Sequence, residues 1–148
     1  MDTQLIFRSN RESTHRMQQL ILGLSEEQLS RPIDNGWSIA QTLAHLAFWD
    51  QRAIHVIETA RKDNIVHVPQ FDDQLNDILA PILAVIPPAA AARMALKIAD
   101  TLDGLLEDCP PQLIDQLVAV NSRLVERSLH RNDHLSQMES VLKDWKSR

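Results

Sequence analysis

From Ser38 to Asn64 the chain reads SIAQTLAHLAFWDQRAIHVIETARKDN, and apolar residues recur every three to four positions from Ile39 to Ile57. That period belongs to one face of an α-helix. Ser38 with Gln41 three positions on predicts a capping box at its start, and the polar run ARKDN closes it. The alternating period of a half-buried strand is missing: NIVHVPQ is the one candidate, and Pro69 cuts it short. With three glycines and no tyrosine in 148 residues, the expected class is all-α.

A first helix is expected from Asp2 or Thr3 as N-cap to about Leu24, with Leu5, Ile6, Met17, Leu20, Ile21 and Leu24 near helical spacing. Ser25 followed by Glu26, Glu27 and Gln28 predicts a short capped turn, and Pro32 and Gly36 keep the segment beyond it from continuing as a helix. The middle of the chain predicts a shorter helical piece, interrupted or kinked at Pro81. A longer helix then opens at Pro87 and Pro88 and ends near Asp108. Proline at a first helical position loses only a donor that would be unpaired anyway. From Gln112 a short helical lead-in runs into the last helix, expected from about Asn121 or Ser122 to Trp145. Four long amphipathic helices predict a four-helix bundle with short extra helical turns in its connections, one domain over residues 1–148 around one hydrophobic core.

Composition supports a folded core and narrows the partners. Hydrophobic residues make up 44% and charged residues 24%, ordinary for a globular chain. A net charge of −5, without clusters of Lys or Arg, disfavours partners that attract by negative charge, nucleic acid and anionic membrane among them. No apolar run approaches membrane-spanning length, and the first sixteen residues carry charge throughout, unlike a secretory signal. Cys109 is alone, so an intramolecular disulfide is impossible and a reducing, cytoplasmic address is expected. Its acidic neighbours in EDCPPQ would raise the thiol pKa, which suggests an inert helix-end cysteine.

The residues that suggest chemistry are histidines. LHRNDHLSQM sets His130 and His134 four residues apart, on one face of a helix, where they can share a metal ion or simply lie on a solvated polar face. A helical wheel puts His45 at the border of the stripe formed by Leu43, Leu46, Trp49, Ala53, Val56 and Ile57, whereas His55 falls among polar residues and faces water. On the last helix His134 lies about 45° and His130 about 85° from the middle of the stripe of Leu124, Leu135, Met138, Leu142 and Trp145. Histidines at a core margin can build a metal site, although a lone His45 could equally be satisfied by a hydrogen bond. His15 is expected on the surface and His67 in a loop. Asp50, about 140° around the wheel from His45, reads as a capping or pairing group, and Asp133 projects away from its two histidine neighbours. Trp37 and Trp49 read as packing anchors, with Trp49, one turn beyond His45, placed to wall a pocket.

Two segments, GWSIAQTLAHLAFWD (Gly36 to Asp50) and RSLHRNDHLSQM (Arg127 to Met138), resemble the DinB/YfiT-like metal-binding four-helix bundles, and the resemblance extends over essentially the whole chain. It implies a divalent-metal site on His45, His130 and His134, often filled by nickel or zinc, with at least one coordination position left to water. Members of that family include low-molecular-weight thiol S-transferases and a thiol-dependent isomerase, and many others are taken to be metal-dependent hydrolases. The resemblance therefore implies a small electrophilic substrate, a possible thiol cosubstrate and a homodimer. It does not identify a general base. A carboxylate to orient the histidines would come from Asp72, Asp73 or Asp77, unranked. The other reading is a non-catalytic helical bundle whose metal is structural, adventitious or absent.

Overall fold

The computed structural model describes residues 1–146. Its helices are α1 (Thr3–Leu22), α2 (Glu26–Leu29), α3 (Ile39–Asp63), α4 (Gln74–Leu83), α5 (Pro88–Glu107), α6 (Pro111–Asn121) and α7 (Ser128–Lys146), with a 3-10 turn over Ser122–Leu124. No strand occurs among the described residues; one isolated bridge joins Pro32 to Ser38, and the NIVHVPQ candidate is a loop. Nor is any described helix long and apolar enough to cross a membrane.

Local chemistry sets most of the helix ends. The Asp2 side chain accepts from the Gln4 and Leu5 amides at the start of α1. At α2, Ser25 and Gln28 make both halves of a capping box. The box expected at α3 is only half made. Ser38 accepts from the Gln41 amide, but the Gln41 amide group donates to the Ala80 carbonyl at 2.8 Å, joining α3 to α4 instead of closing on Ser38. Asn64 ends α3 in the left-handed region at φ 57°, which asparagine tolerates better than most residues. α4 continues through Pro81 and stops two residues later, so the proline shortens the helix rather than interrupting it. α5 opens at Pro88 as predicted.

The expected last helix requires correction. The segment after Gln112 is a separate helix, α6, and α7 begins at Ser128, six or seven residues beyond the predicted start. The cause lies far away in sequence. Asn10 of α1 donates to the Val125 carbonyl at 2.8 Å, and its Oδ1 accepts from the Arg127 and Ser128 amides at 2.9 and 3.0 Å. One buried side chain therefore caps α7 and satisfies the break before it.

The four long helices α1, α3, α5 and α7 form the bundle: α3 packs on α5 and α7, and α1 packs on α5 and α7. Two apolar clusters stand where one core is expected. The first holds Met17, Leu43, Ala95, Leu135 and Met138; the second holds Ile6, Ile57, Leu102, Leu117 and Leu124. Along each long helix, a buried polar residue sits at or beside the change of cluster: Asn10 and Ser13 on α1, Asp50 on α3, Asp103 on α5, Arg131 on α7. A polar layer thus crosses the bundle, and the histidines lie at its edge.

Candidate metal centre

α3 carries His45, and α7 carries His130 and His134 on successive turns. One ring nitrogen from each can be chosen so that all three lie within 4.8 Å of one another, a group able to hold a metal ion. The Nε2 atoms of His45 and His130 are 3.2 Å apart. His45 is 4% exposed, and the other two rings are half-buried. Both tryptophans meet His45 edge-on, Trp37 with ring centroids 5.2 Å apart and Trp49 at 6.4 Å, so the ring is walled on two sides. The wall at Trp49 matches its expected position; that at Trp37 is additional.

Burial decides the charge state. It lowers the pKa of His45 to about 4, helped by repulsion from His134. His130 is pushed far down by burial first and then by Arg127 and the other two rings. Burial also lowers His134, against the opposing pull of Gln137 and Asp133. At neutral pH the three rings are therefore uncharged, the form in which imidazole binds metal.

Hydrogen bonds to the far side of each ring choose the nitrogen presented to the centre. His134 Nδ1 donates to Gln137 Oε1 at 3.0 Å, which leaves its Nε2 lone pair free. His130 is arranged differently. A guanidinium has only donors, so the 3.3 Å contact from Arg127 Nη2 requires a lone pair on His130 Nδ1 and puts the proton of the neutral ring on Nε2. That Nε2–H donates to His45 Nε2.

Three imidazoles suit zinc or nickel, which bind this ligand at about 2.0–2.1 Å. Tetrahedral placement at that radius separates two ligand nitrogens by about 3.4 Å. The 3.2 Å pair is already close to that separation, and a pair at the 4.8 Å limit would close by a small side-chain rotation. The donor set fits such an ion, provided that the His130 proton moves from Nε2 to Nδ1 and the Arg127 contact lengthens.

Behind His130 lies the polar layer. Arg127 Nε donates to Asp50 Oδ1 and Arg131 Nε to Asp50 Oδ2, each at 2.9 Å, and Arg131 Nη1 donates to Asp103 Oδ1 at 2.9 Å. Thr14 donates to the other oxygen of Asp103. Asp50 is thus a pairing group, as its wheel position suggests, and it holds the arginine that touches His130. Asp72, Asp73 and Asp77 play no such part: all three are exposed, and Asp72 accepts from the Gln74 amide at the start of α4. The groups that orient the histidines are Arg127 and Gln137, three residues from His130 and His134 respectively. Helical i, i+3 spacing was the signal that could have found them. Cys109 is buried, its thiol donates to the Leu105 carbonyl, and burial raises its pKa, so it is unreactive by desolvation more than by its acidic neighbours.

A family profile described as the DinB superfamily matches residues 10–138. Comparisons with curated proteins and with solved structures gave no significant match.

Proposed function

Since this chain belongs to the DinB superfamily, we propose that it is a divalent-metal-dependent enzyme whose ion, zinc or nickel, would be held by His45, His130 and His134. The observation that carries the proposal is the meeting of three neutral imidazoles, from two helices distant along the chain, within 4.8 Å at the edge of the core. When bound there, such an ion supplies Lewis acidity, enough to lower the pKa of water or of a low-molecular-weight thiol toward neutrality. The reaction would be hydrolysis or thiol S-transfer on a small electrophile. Around it, Trp37 and Trp49 exclude water from two sides of His45 and Gln137 fixes the His134 ring, while the Arg127 contact to His130, held by Asp50, would lengthen on binding. A single domain, a homodimer and a cytoplasmic address belong to the same proposal, with the dimer open to sedimentation analysis.

One observation favours the second reading, a bundle without catalysis. The His45–His130 contact and the Arg127 donor satisfy one another without any ion. Metal analysis of protein purified without an affinity tag separates the two. The proposal expects about one ion per chain, lost in His45→Ala, His130→Ala or His134→Ala and kept in His15→Ala and His55→Ala, which change exposed residues. Absence of metal from the wild type after zinc or nickel loading favours the non-catalytic bundle. A loaded protein is then assayed with thiols plus electrophiles, and with esters and amides.

A further inference from the structure

Beside His130 the helices leave a cavity of about 170 Å³, lined by Trp49, Arg52, Asn121, Arg123 and Arg127 along with the histidine itself. Three arginines and no carboxylate line it, in a chain of net charge −5. The local charges do not cancel. Arg127 and Arg131 are balanced by Asp50 and Asp103, whereas Arg52 and Arg123 have no carboxylate partner among the described residues. Arg52 is nevertheless held in place. Its Nη2 donates to the Pro69 carbonyl at 2.8 Å, and its guanidinium lies 5.3 Å from the Trp49 ring centroid and 5.7 Å from that of Phe71. Its Nε is buried with no acceptor, the one such side-chain atom among the described residues. Burial, then Arg127, lowers the pKa of Arg52, as expected for a cation still lacking its counter-charge. A fixed, partly desolvated guanidinium that lines a cavity and lacks a carboxylate partner is a receptor for an oxyanion.

We propose that this cavity is an anion subsite, taking the carboxylate or phosphate group of a small molecule whose reacting end lies at the histidine cluster. Anion binding stands on the arginines alone; that the anion belongs to the substrate rests on the metal-dependent reading above. The size fits one end of a ligand, since whole ligand pockets run to about 300–1,000 Å³. The subsite narrows the substrate class to acidic electrophiles or acidic thiols.

The test uses the full-length, metal-free protein, labelled with nitrogen-15 and titrated with glutarate, inorganic phosphate and neutral glutaramide. The Arg52 Nε–H and Trp49 Nε1–H signals should shift saturably with glutarate, phosphate or both, and not with glutaramide. A response to glutarate alone identifies a carboxylate, and one to phosphate alone a phosphate ester. Arg52→Gln and Arg123→Gln should each weaken binding about tenfold, the worth of a charged hydrogen bond. Arg93→Gln, at an exposed position on α5, should leave it unchanged, and retained spectral dispersion shows that the variants fold. No saturable shift with either anion, an equal response to glutaramide, or full affinity in both arginine variants overturns the proposal. Because no ion is present, a negative result leaves the histidine site standing, and failure of the histidine site leaves a positive result standing.

Discussion

Arg131 is fully buried, and six acceptors share its guanidinium N–H groups: Asp50 and Asp103, the hydroxyls of Ser13 and Thr14, and the carbonyls of Asn10 and Ala99. Arg131→Met keeps much of its volume and removes its charge. Asp50 then retains Arg127, but Asp103 loses its buried cation and keeps only the Thr14 hydroxyl as a direct partner. Leaving one partner of a buried ion pair uncompensated costs about 3–5 kcal/mol, so a loss near 4 kcal/mol is expected. With a urea m-value of about 2 kcal/mol/M the unfolding midpoint falls by about 2 M at unchanged m. Arg131→Met combined with Asp103→Leu removes both charges and should recover at least about 2 kcal/mol of the sum of the single losses. The variant also acquires a pH signature. Burial already holds the Asp103 carboxyl above its usual range against the pull of Arg131. Without Arg131 the folded state takes up the proton first, so Arg131→Met regains stability as the pH falls from 7 toward the unfolded carboxyl's value near 4. A loss under about 1 kcal/mol, or strictly additive losses in the double variant, would refute the reasoning.

Three further outcomes rest on the same contacts. Asn10→Ala removes the three bonds that hold the start of α7 and should cost about 2–3 kcal/mol, with faster amide exchange at residues 128–131 than elsewhere in α7. For the metal-free protein, His45 has a folded pKa of about 4 against 6.5 unfolded, so its stability is complete above pH 6.5 and is lost as the pH falls through 4. The shift corresponds to at most about 3 kcal/mol, and His45→Gln should flatten that slope in denaturation curves taken from pH 7 to pH 4. Arg127→Gln removes a cation beside His130 and frees its Nδ1 to carry the proton. Metal affinity measured against a competing chelator should rise about tenfold while stability falls, and weaker metal binding contradicts the tautomer assignment.

The helices were legible wherever their ends are set by neighbours in sequence. Ser25 with Gln28, Ser38 with the Gln41 amide, and Pro88 at a helix start each act within one turn, and their positions were found to within a residue or two. The start of α7 was not, because its cap is Asn10, more than a hundred residues away, and nothing between Gln112 and Ser128 signals it. The division of the core by a polar layer was hidden for the same reason. Arg127 and Arg131 meet carboxylates carried by α3 and α5, Asp50 and Asp103, and periodicity along α7 alone does not pair residues across helices. For the site, periodicity placed His45 at a core margin and His130 with His134 on one flank, but it carried no information on which helix faces which. The resemblance supplied that pairing, and α3 does pack against α7. The arginine cavity was invisible because its lining comes from α3, the end of α6, the 3-10 turn, the link that follows it and α7 together.

The central claim is that three imidazoles meet on one cation, and X-ray absorption at the zinc edge reads that first shell directly. Stoichiometrically loaded wild type should give three histidine nitrogens at about 2.0–2.1 Å, falling to two in His130→Ala if any metal is retained. A shell with sulfur in it, with one or no imidazole, or one unchanged in His130→Ala, would contradict the account.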